Sequence, residues 1–343
     1  MEKGSSPQLR DVRYARYEAS DFMRLRELFE TVWGENRSIE YDLKHWNETL
    51  TGVCPAILGL YGERIVGFYM VWPLLLSDGQ SQVLGGQPID SMVHPDFQGK
   101  GMLRELACRC YEICDGEKIS VMFGAPNRAA YAGNIGALNW CHVGNIIEAL
   151  RPLAPAPYRN MRWIEQDGGW ICESKDPSLS GCSVRRDCPP DLAAHFEALP
   201  LLRRRWQMSR SAQWTAYRYR SVPDSEYYSI HVRGAFGHSG AALCGFRRSR
   251  QGLKATLVEM AGSDEGSRKV VLNAVAAWAR HKGARFLIAK STDRTLNEQL
   301  LWRGFVPFRR TALISRTLSW PCYSASPFSR HAWALFGGAF DTM

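Results

Sequence analysis

The residues best suited to chemistry lie between positions 86 and 106. Ile89, Ser91 and Val93 alternate with Asp90 and Met92, the period of a short strand, and His94-Pro95-Asp96 ends it. Gln98-Gly99-Lys100-Gly101 follows, and then Leu103, Leu106, Ala107 and Cys110 recur at helical spacing. The order is strand, glycine-bearing loop, helix. The first N–H groups of such a helix have no partner within it, and the helix dipole places partial positive charge at the same end. An anion, most often a phosphate, suits that position. Gly99 and Gly101 keep side chains off the backbone and permit positive φ, while Lys100 adds a point charge. A plain strand-to-helix turn accounts for the two glycines equally well.

The longer string Val93-His94-Pro95-Asp96-Phe97-Gln98-Gly99-Lys100-Gly101 resembles the acyl-CoA signature of the GCN5-related N-acetyltransferase (GNAT) superfamily, Gln/Arg-x-x-Gly-x-Gly/Ala. Gln98, Gly101 and the preceding Val-x-Pro match, but Leu103 takes the final small position and crowds the far end of the loop. The resemblance implies acetyl-CoA or another acyl-CoA as cosubstrate, with no metal, bound by Gln98, Gly99, Lys100, Gly101, Met102 and Leu103. It also implies a splayed strand whose backbone N–H groups at Met92 and Val93, with Ser91 alongside, hold the thioester.

From Pro126-Asn127-x-x-Ala130-Tyr131 the resemblance further implies Asn127 on the pantetheine arm and Tyr131 as general acid to the departing thiolate. By residue type alone, Asn127 reads as well as a helix cap, and Tyr131 as a packed or surface side chain. Transfer to an amine also requires a deprotonated nucleophile. Asp90 is the candidate base; Glu148 and Glu259 on other strands, or water alone, are alternatives. His94 and His142 read as turn or packing residues.

The elements that must position these residues can be read in order. Asp11 to Arg16 predicts a strand, and Ser20-Asp21 a cap on a helix with Phe22, Leu25, Leu28 and Phe29 on one face. Ala56 to Tyr61, a Gly62-Glu63-Arg64 turn and Ile65 to Leu75 predict a hairpin. Ile119 to Gly124 reads as a strand, Asn127 to Trp140 as a helical segment, and Asn145 to Leu150 as a last strand. Pro152, Pro155 and Pro157 then break the chain, and Glu165 to Gly181 reads as turns with one strand.

The second half repeats this plan. Ser183-Val-Arg-Arg before Asp191-Leu parallels Val12-Arg-Tyr-Ala before Asp21-Phe, and Trp214 precedes Pro223 by nine residues as Trp46 precedes Pro55. Tyr227–Val232 and Ser239–Phe246 predict a hairpin, with strands following at Ala255–Met260, Arg285–Lys290 and Val306–Ser315. Helices are expected around Val270 to Trp278 and Leu296 to Leu301. Where the phosphate loop would recur stands Gly262-Ser-Asp-Glu-Gly, whose two acids repel an anion. The expected fold class is α/β: two tandem GNAT-like domains, each a mixed, mostly antiparallel sheet flanked by helices. Residues 11–155 would hold the acyl-CoA site, 156–181 a connector, and 182–343 a domain lacking the CoA loop, with an acceptor-site or structural role.

Composition bounds the rest. With 45% apolar residues, 12 Trp and 22% charged residues in 343, the chain is globular and long enough for two cores. The charged opening and the interrupted apolar run Ile65 to Leu76 predict neither signal peptide nor membrane span, hence a cytoplasmic protein. The ten cysteines are expected reduced, and Cys108 and Cys110 point to nearly opposite helix faces, which excludes a shared metal with Cys114. The net charge of +9, with Arg203-Arg204-Arg205, Arg247-Arg248-Arg250 and Arg309-Arg310 in the second half, points to an anionic partner. Trp333 to Asp341 resembles the aromatic, glycine-acid tail of tandem acyltransferases of bacterial surface-polysaccharide pathways.

The expected activity is therefore N-acylation of a small-molecule primary amine, with a nucleotide-linked amino sugar as leading acceptor and a homodimer as the expected assembly. A tandem aminoacyl-tRNA-dependent transferase of the peptidoglycan type, the one reading that involves nucleic acid, is the alternative. So is a non-catalytic acyl-CoA-binding module.

Overall fold

A computed structural model describes residues 8–34, 37–49, 51–52, 54–153, 161–175, 179, 181–197, 205–209, 211–233, 239–249, 252–262, 264–318, 326–329 and 332–340. The chain divides into two compact units, Met1–Gly144 with Arg203–Trp206 and Ala312–Ala332, and Asn145–Leu202 with Gln207–Thr311 and Trp333–Met343. Both are mixed α/β, each with a mixed, mostly antiparallel sheet flanked by helices, which is the fold class the sequence predicts.

In the first unit β1 (Arg13–Arg16) is followed by α1 (Phe22–Trp33), α2 (Ile39–Trp46), β2 (Ala56–Tyr61), β3 (Arg64–Ser77) and β4 (Gln82–Val93). Then come α3 (Met102–Gly116), β5 (Val121–Gly124) and α4 (Arg128–Ala137). β1 to β4 pair antiparallel in chain order and β5 joins β4 in parallel. Residues 314–317 close the far side, antiparallel to β5 from Ile314↔Gly124 to Thr317↔Val121.

The near-continuous apolar run of β3 is buried on both faces, as a central strand requires. Tyr69 and Val71 join Leu106, Cys110 and Tyr111 of α3 in one core cluster. On the other face Phe68 meets the ring of Trp46 and Trp72 stacks on His45, both from α2. Sequence reading missed α2, although Ser38 caps it by accepting from the Tyr41 N–H at 3.2 Å and Glu40 and Asp42 sit in its first turn. Ser20 and Asp21 do not cap α1. They lie in a 3-10 turn in which Asp21 accepts from the Glu18 N–H at 3.1 Å.

The second unit takes up β6 (Cys141–Pro152) from residue 145 onward, then β7 (Met161–Gln166), β8 (Gly169–Ser174), β9 (Cys182–Arg186), α5 (Pro190–Glu197) and the short β10 (Gln207–Met208). After α6 (Ala212–Arg218) come β11 (Ser225–Arg233), β12 (Ser239–Ser249), β13 (Gly252–Gly262), α7 (Glu265–His281), β14 (Phe286–Ser291), α8 (Arg294–Trp302) and β15 (Val306–Thr317), of which residues 306–311 belong to this unit. β11, β12 and β13 pair antiparallel, and β14 joins β13 in parallel. Of the Glu165 to Gly181 stretch, expected as turns with one strand, residues 165–166 end β7 and residues 169–174 form β8, and the two strands pair as a hairpin. Trp163 and Trp170 from that hairpin pack on Trp278 of α7.

Pro155, Pro157, Arg203, Arg204, Arg250, Ser263 and Asp341 lie outside the described residues. Among the described residues the cysteines are free thiols, no three His, Cys, Asp or Glu side chains converge as metal ligands, and no helix is long and apolar enough to cross a membrane.

Gly86 sits where β4 still touches β5, and a Cβ there would overlap Val71 Cγ1 and approach Ile119 Cγ2 at 3.2 Å. Both neighbours are buried and β-branched, so neither can swing aside. Gly86→Ala is expected to destabilise the protein by about 1–3 kcal/mol through overpacking, measured by urea unfolding.

Candidate active site

The site begins with two irregularities in β4. Its parallel ladder with β5 consists of Gly85↔Val121 and Gly86↔Met122, although β4 continues to Val93 and β5 to Gly124. Past Gly86 the two strands part. On its other edge β4 slips against β3: Phe68 faces Met92 but Met70 faces Ile89, so β4 carries an extra residue at Asp90–Ser91. Asp90 has φ 45°, a left-handed conformation rare for a residue with a side chain. Beyond the bulge β4 is back in register with β3, Phe68 facing Met92 and Gly67 facing Val93, so strand alternation turns the Val93 N–H away from β3 just where β4 has left β5.

The loop that follows is held by its own polar groups. The His94 N–H donates to the Val66 carbonyl at 2.8 Å, and His94 Nδ1 accepts from the Asp96 N–H at 3.3 Å to cap a 3-10 turn, Pro95–Phe97. Gln98 Nε2 donates to the Val93 carbonyl at 3.0 Å, tying loop to strand. Gly99 and Gly101 have φ 73° and 91°, the positive values that only glycine adopts freely. A Cβ at Gly99 would meet nothing within 4 Å, so the face beside the loop stands open. No side chain caps α3 at Gly101. Lys100 is exposed, with Nζ 5.6 Å from the Phe97 ring. Met92 and Met102 are buried side chains, so these two can offer a ligand only backbone groups. Leu103 is half-buried and lies beside Gly133 of α4.

Asn127 caps α4, its Oδ1 accepting from the Ala130 N–H at 2.9 Å. Tyr131, one turn on, has its hydroxyl 3.3 Å from His142 Nδ1, and the rings meet edge-on at 5.9 Å. His142, expected as a packing residue, is thus the partner of the Tyr131 hydroxyl. Nothing in local spacing signals this, because the two stand on different elements.

Asp90 is a paired anion. Arg37 grips it with both terminal nitrogens, at 3.3 and 2.9 Å, and Trp46 Nε1 donates to Oδ2 at 2.9 Å. Burial opposes its charge, but the Arg37 guanidinium and these hydrogen bonds outweigh it and hold the carboxyl below its usual range. Arg37 Nε in turn lies 2.7 Å from Asp42 Oδ1, and Arg26 Nε 3.4 Å from Asp42 Oδ2. Burial pushes the Asp42 carboxyl up, to about 6, against the pull of Arg37 and Arg26. Burial pushes His45 down to about 3, leaving a neutral ring whose Nδ1 lies 2.9 Å from the Tyr41 carbonyl. Arg37, Asp42 and Trp46 escaped sequence reading because they lie on or before the unpredicted helix α2. The other two candidate bases belong to the second unit: Glu148 accepts from Thr311 Oγ1 at 3.0 Å, and Glu259 from the Tyr219 hydroxyl at 3.3 Å.

The second unit has corresponding strands with different contents. β13 slips against β12 between Leu243↔Glu259 and Cys244↔Leu257, and its parallel ladder with β14 ends at Leu257↔Ala289. The chain's own tail lies in that gap. Phe336 bridges Ser291, the Thr292 N–H donates to the Leu335 carbonyl at 3.0 Å, and the Leu335 N–H donates to Thr292 Oγ1 at 2.9 Å. The N-terminus of α7 is capped by Asp264, which accepts from the Ser267 N–H at 2.7 Å. A carboxylate from the chain thus stands where α3 presents glycine.

Residues 13–138 match the family model of the acetyltransferase (GNAT) domain. No curated protein matches the sequence. Among solved structures, a GCN5-related N-acetyltransferase from Anabaena variabilis is similar with a TM-score of 0.61 at 11% identity, over 90% of this chain and 73% of that one. One from Kribbella flavida has a TM-score of 0.55 at 13% identity, over 89% and 71%. At such identities the likeness is one of fold.

Gly337 seats the tail. A Cβ there would collide with the Leu257 carbonyl oxygen and lie 3.1 Å from Val258 Cα, both backbone atoms. Gly337→Ala is expected to lower stability by about 1–3 kcal/mol in urea unfolding; an unchanged midpoint would mean that the tail does not occupy the gap.

Proposed function

We propose that the first unit transfers an acyl group from an acyl-CoA to a primary amine. The observation that carries this reading is one continuous piece of chain: a strand that bulges and parts from its neighbour, then a loop with two positive-φ glycines, then a helix with no side-chain cap. The GNAT domain match over residues 13–138 supports it.

In this reading Gly99, Gly101 and the first turn of α3 receive the pyrophosphate on backbone N–H groups, with Lys100 adding charge. Gln98 holds the loop to β4, and Leu103 bounds its far end. The pantetheine arm enters where β4 leaves β5, past Asn127. Of the two backbone N–H groups expected on the thioester, that of Met92 faces β3, and that of Val93 polarises the carbonyl. The amine nitrogen attacks that carbon and loses its proton to water, and the C–S bond breaks. The departing sulfur takes a proton from Tyr131, whose oxygen His142 supports. Asp90, with both oxygens engaged, serves as a fixed anion rather than as the base.

The second unit is read as a tandem GNAT-like domain with no acyl-CoA site, since its tail and the Asp264 cap fill the corresponding positions. For the acceptor, an amino-sugar nucleotide of polysaccharide biosynthesis is favoured by the net charge of +9. Arg309, one of the arginines behind that reading, lies 3.6 Å from Glu148.

Titration calorimetry with acetyl-CoA and CoA tests the cofactor. The expected result is a single site per chain that Gly101→Glu abolishes, by obstructing and repelling the pyrophosphate. Absence of binding by the wild type would contradict the reading and bring the tRNA-dependent alternative forward. In thiol-release assays over a panel of amines, Tyr131→Phe should lower kcat by about 10²- to 10⁴-fold with little change in the acyl-CoA KM. Binding with no thiol release for any amine would instead indicate an acyl-CoA-binding module.

A further inference from the structure

The buried ion chain beside β4 has a purpose beyond filling space. Asp90 occupies a left-handed conformation inside a strand, which persists only where its surroundings hold it. Its carboxylate meets the forked terminal nitrogens of Arg37 and the indole N–H of Trp46, so the side chain is fixed from two directions. Arg37 is itself immobilised, with its guanidinium 3.9 Å from the Phe29 ring centroid and its Nε on Asp42, which Arg26 also approaches. Arg26–Asp42–Arg37–Asp90 therefore alternates in charge and balances to zero. Asp90 stands at the extra residue of β4, two positions before Met92.

We propose that Arg37 is a positioning residue for acyl transfer, holding Asp90 and with it the bulge that sets the Val93 N–H, the one that strand alternation turns away from β3, toward the gap between β4 and β5. This rests on the acyl-transfer reading above. Arg37 touches neither substrate nor reacting atoms in this role. Its effect is on the angle at which the Val93 backbone donor is presented. The pyrophosphate loop, anchored separately by His94 and Gln98, does not depend on it.

The consequence is a split between chemistry and binding. Arg37→Lys keeps the charge but loses the fork, and Asp90→Asn keeps the shape and the acceptor for Trp46 but loses the ion pair. Each should lower kcat by roughly 10- to 100-fold, the scale of a small misplacement of aligned groups. The acetyl-CoA dissociation constant should stay within about threefold. Glycine adopts φ 45° without an anchor, so Arg37→Met/Asp90→Gly, which removes both charges, should recover kcat relative to Arg37→Met alone. Because removing an unpaired charge can also restore stability, the recovery of kcat is compared with the urea unfolding midpoints, and a recovery that merely follows the midpoints would overturn the proposal.

Hydrogen exchange supplies a readout that needs no activity. Arg37→Lys should speed amide exchange at Ser91 to Val93 and leave residues 102–106 unchanged. Folded variants with wild-type kcat, a loss confined to acetyl-CoA affinity, or unaltered exchange at Ser91 to Val93 would each overturn the proposal. If the wild type neither binds acetyl-CoA nor turns over, the acyl-transfer reading fails on its own, and the exchange data still decide whether Arg37 holds the bulge.

Discussion

A carboxylate largely withdrawn from water is stabilised by pairing, and Asp90, beside the candidate site of the first unit, is paired with Arg37. Asp90 sits in a conformation that a side-chain-bearing residue avoids, at the point where β4 carries one residue too many for β3. The Arg37 fork and the Trp46 indole hold it there. Those two donors come from α2 and the segment before it, so the helix over one face of β3 is tied electrostatically to the strand edge that parts from β5. Breaking one member would leave the others buried and uncompensated, which makes the network sensitive to single changes.

The two units share a local strand arrangement with different contents. In each unit two strands pair in parallel briefly and then separate, next to a slip in the antiparallel register. In the first, the helix that follows opens on glycine. In the second, the gap receives Leu335 to Gly337 through backbone hydrogen bonds, and the helix opens on a carboxylate that consumes its own N–H group. A helix end already capped by its own anion has little left to offer a phosphate.

Local pattern was enough to read the strand ending at Val93, the turn at His94–Phe97, the glycines with positive φ and the helix from Met102, because each depends on neighbours within a few residues. What could not be read were pairings across long separations. Arg37 and Asp90 are 53 residues apart in sequence, and no periodicity links them. Tyr131 of α4 and His142 of β6 meet although they stand on different elements, and the tail reaches Thr292, at the end of β14, from more than forty residues away. The partners of Asp90 were hidden for the same reason: its residue type suits proton transfer, but the groups that hold it ionised lie on or just before a helix whose Ser38 cap went unread. Asn127 shows the opposite case, since its capping bond to Ala130 is local and was anticipated as one of its two readings.

The most direct measurement is a backbone amide chemical-shift map of isotope-labelled protein titrated with acetyl-CoA. Binding in the first unit predicts the largest perturbations at Met92, Val93 and residues 99–103, with the start of α7 at residues 264–268 unaffected. Perturbations centred on α7 and the tail, or none in the Met92 to Leu103 segment at saturating ligand, would contradict the account.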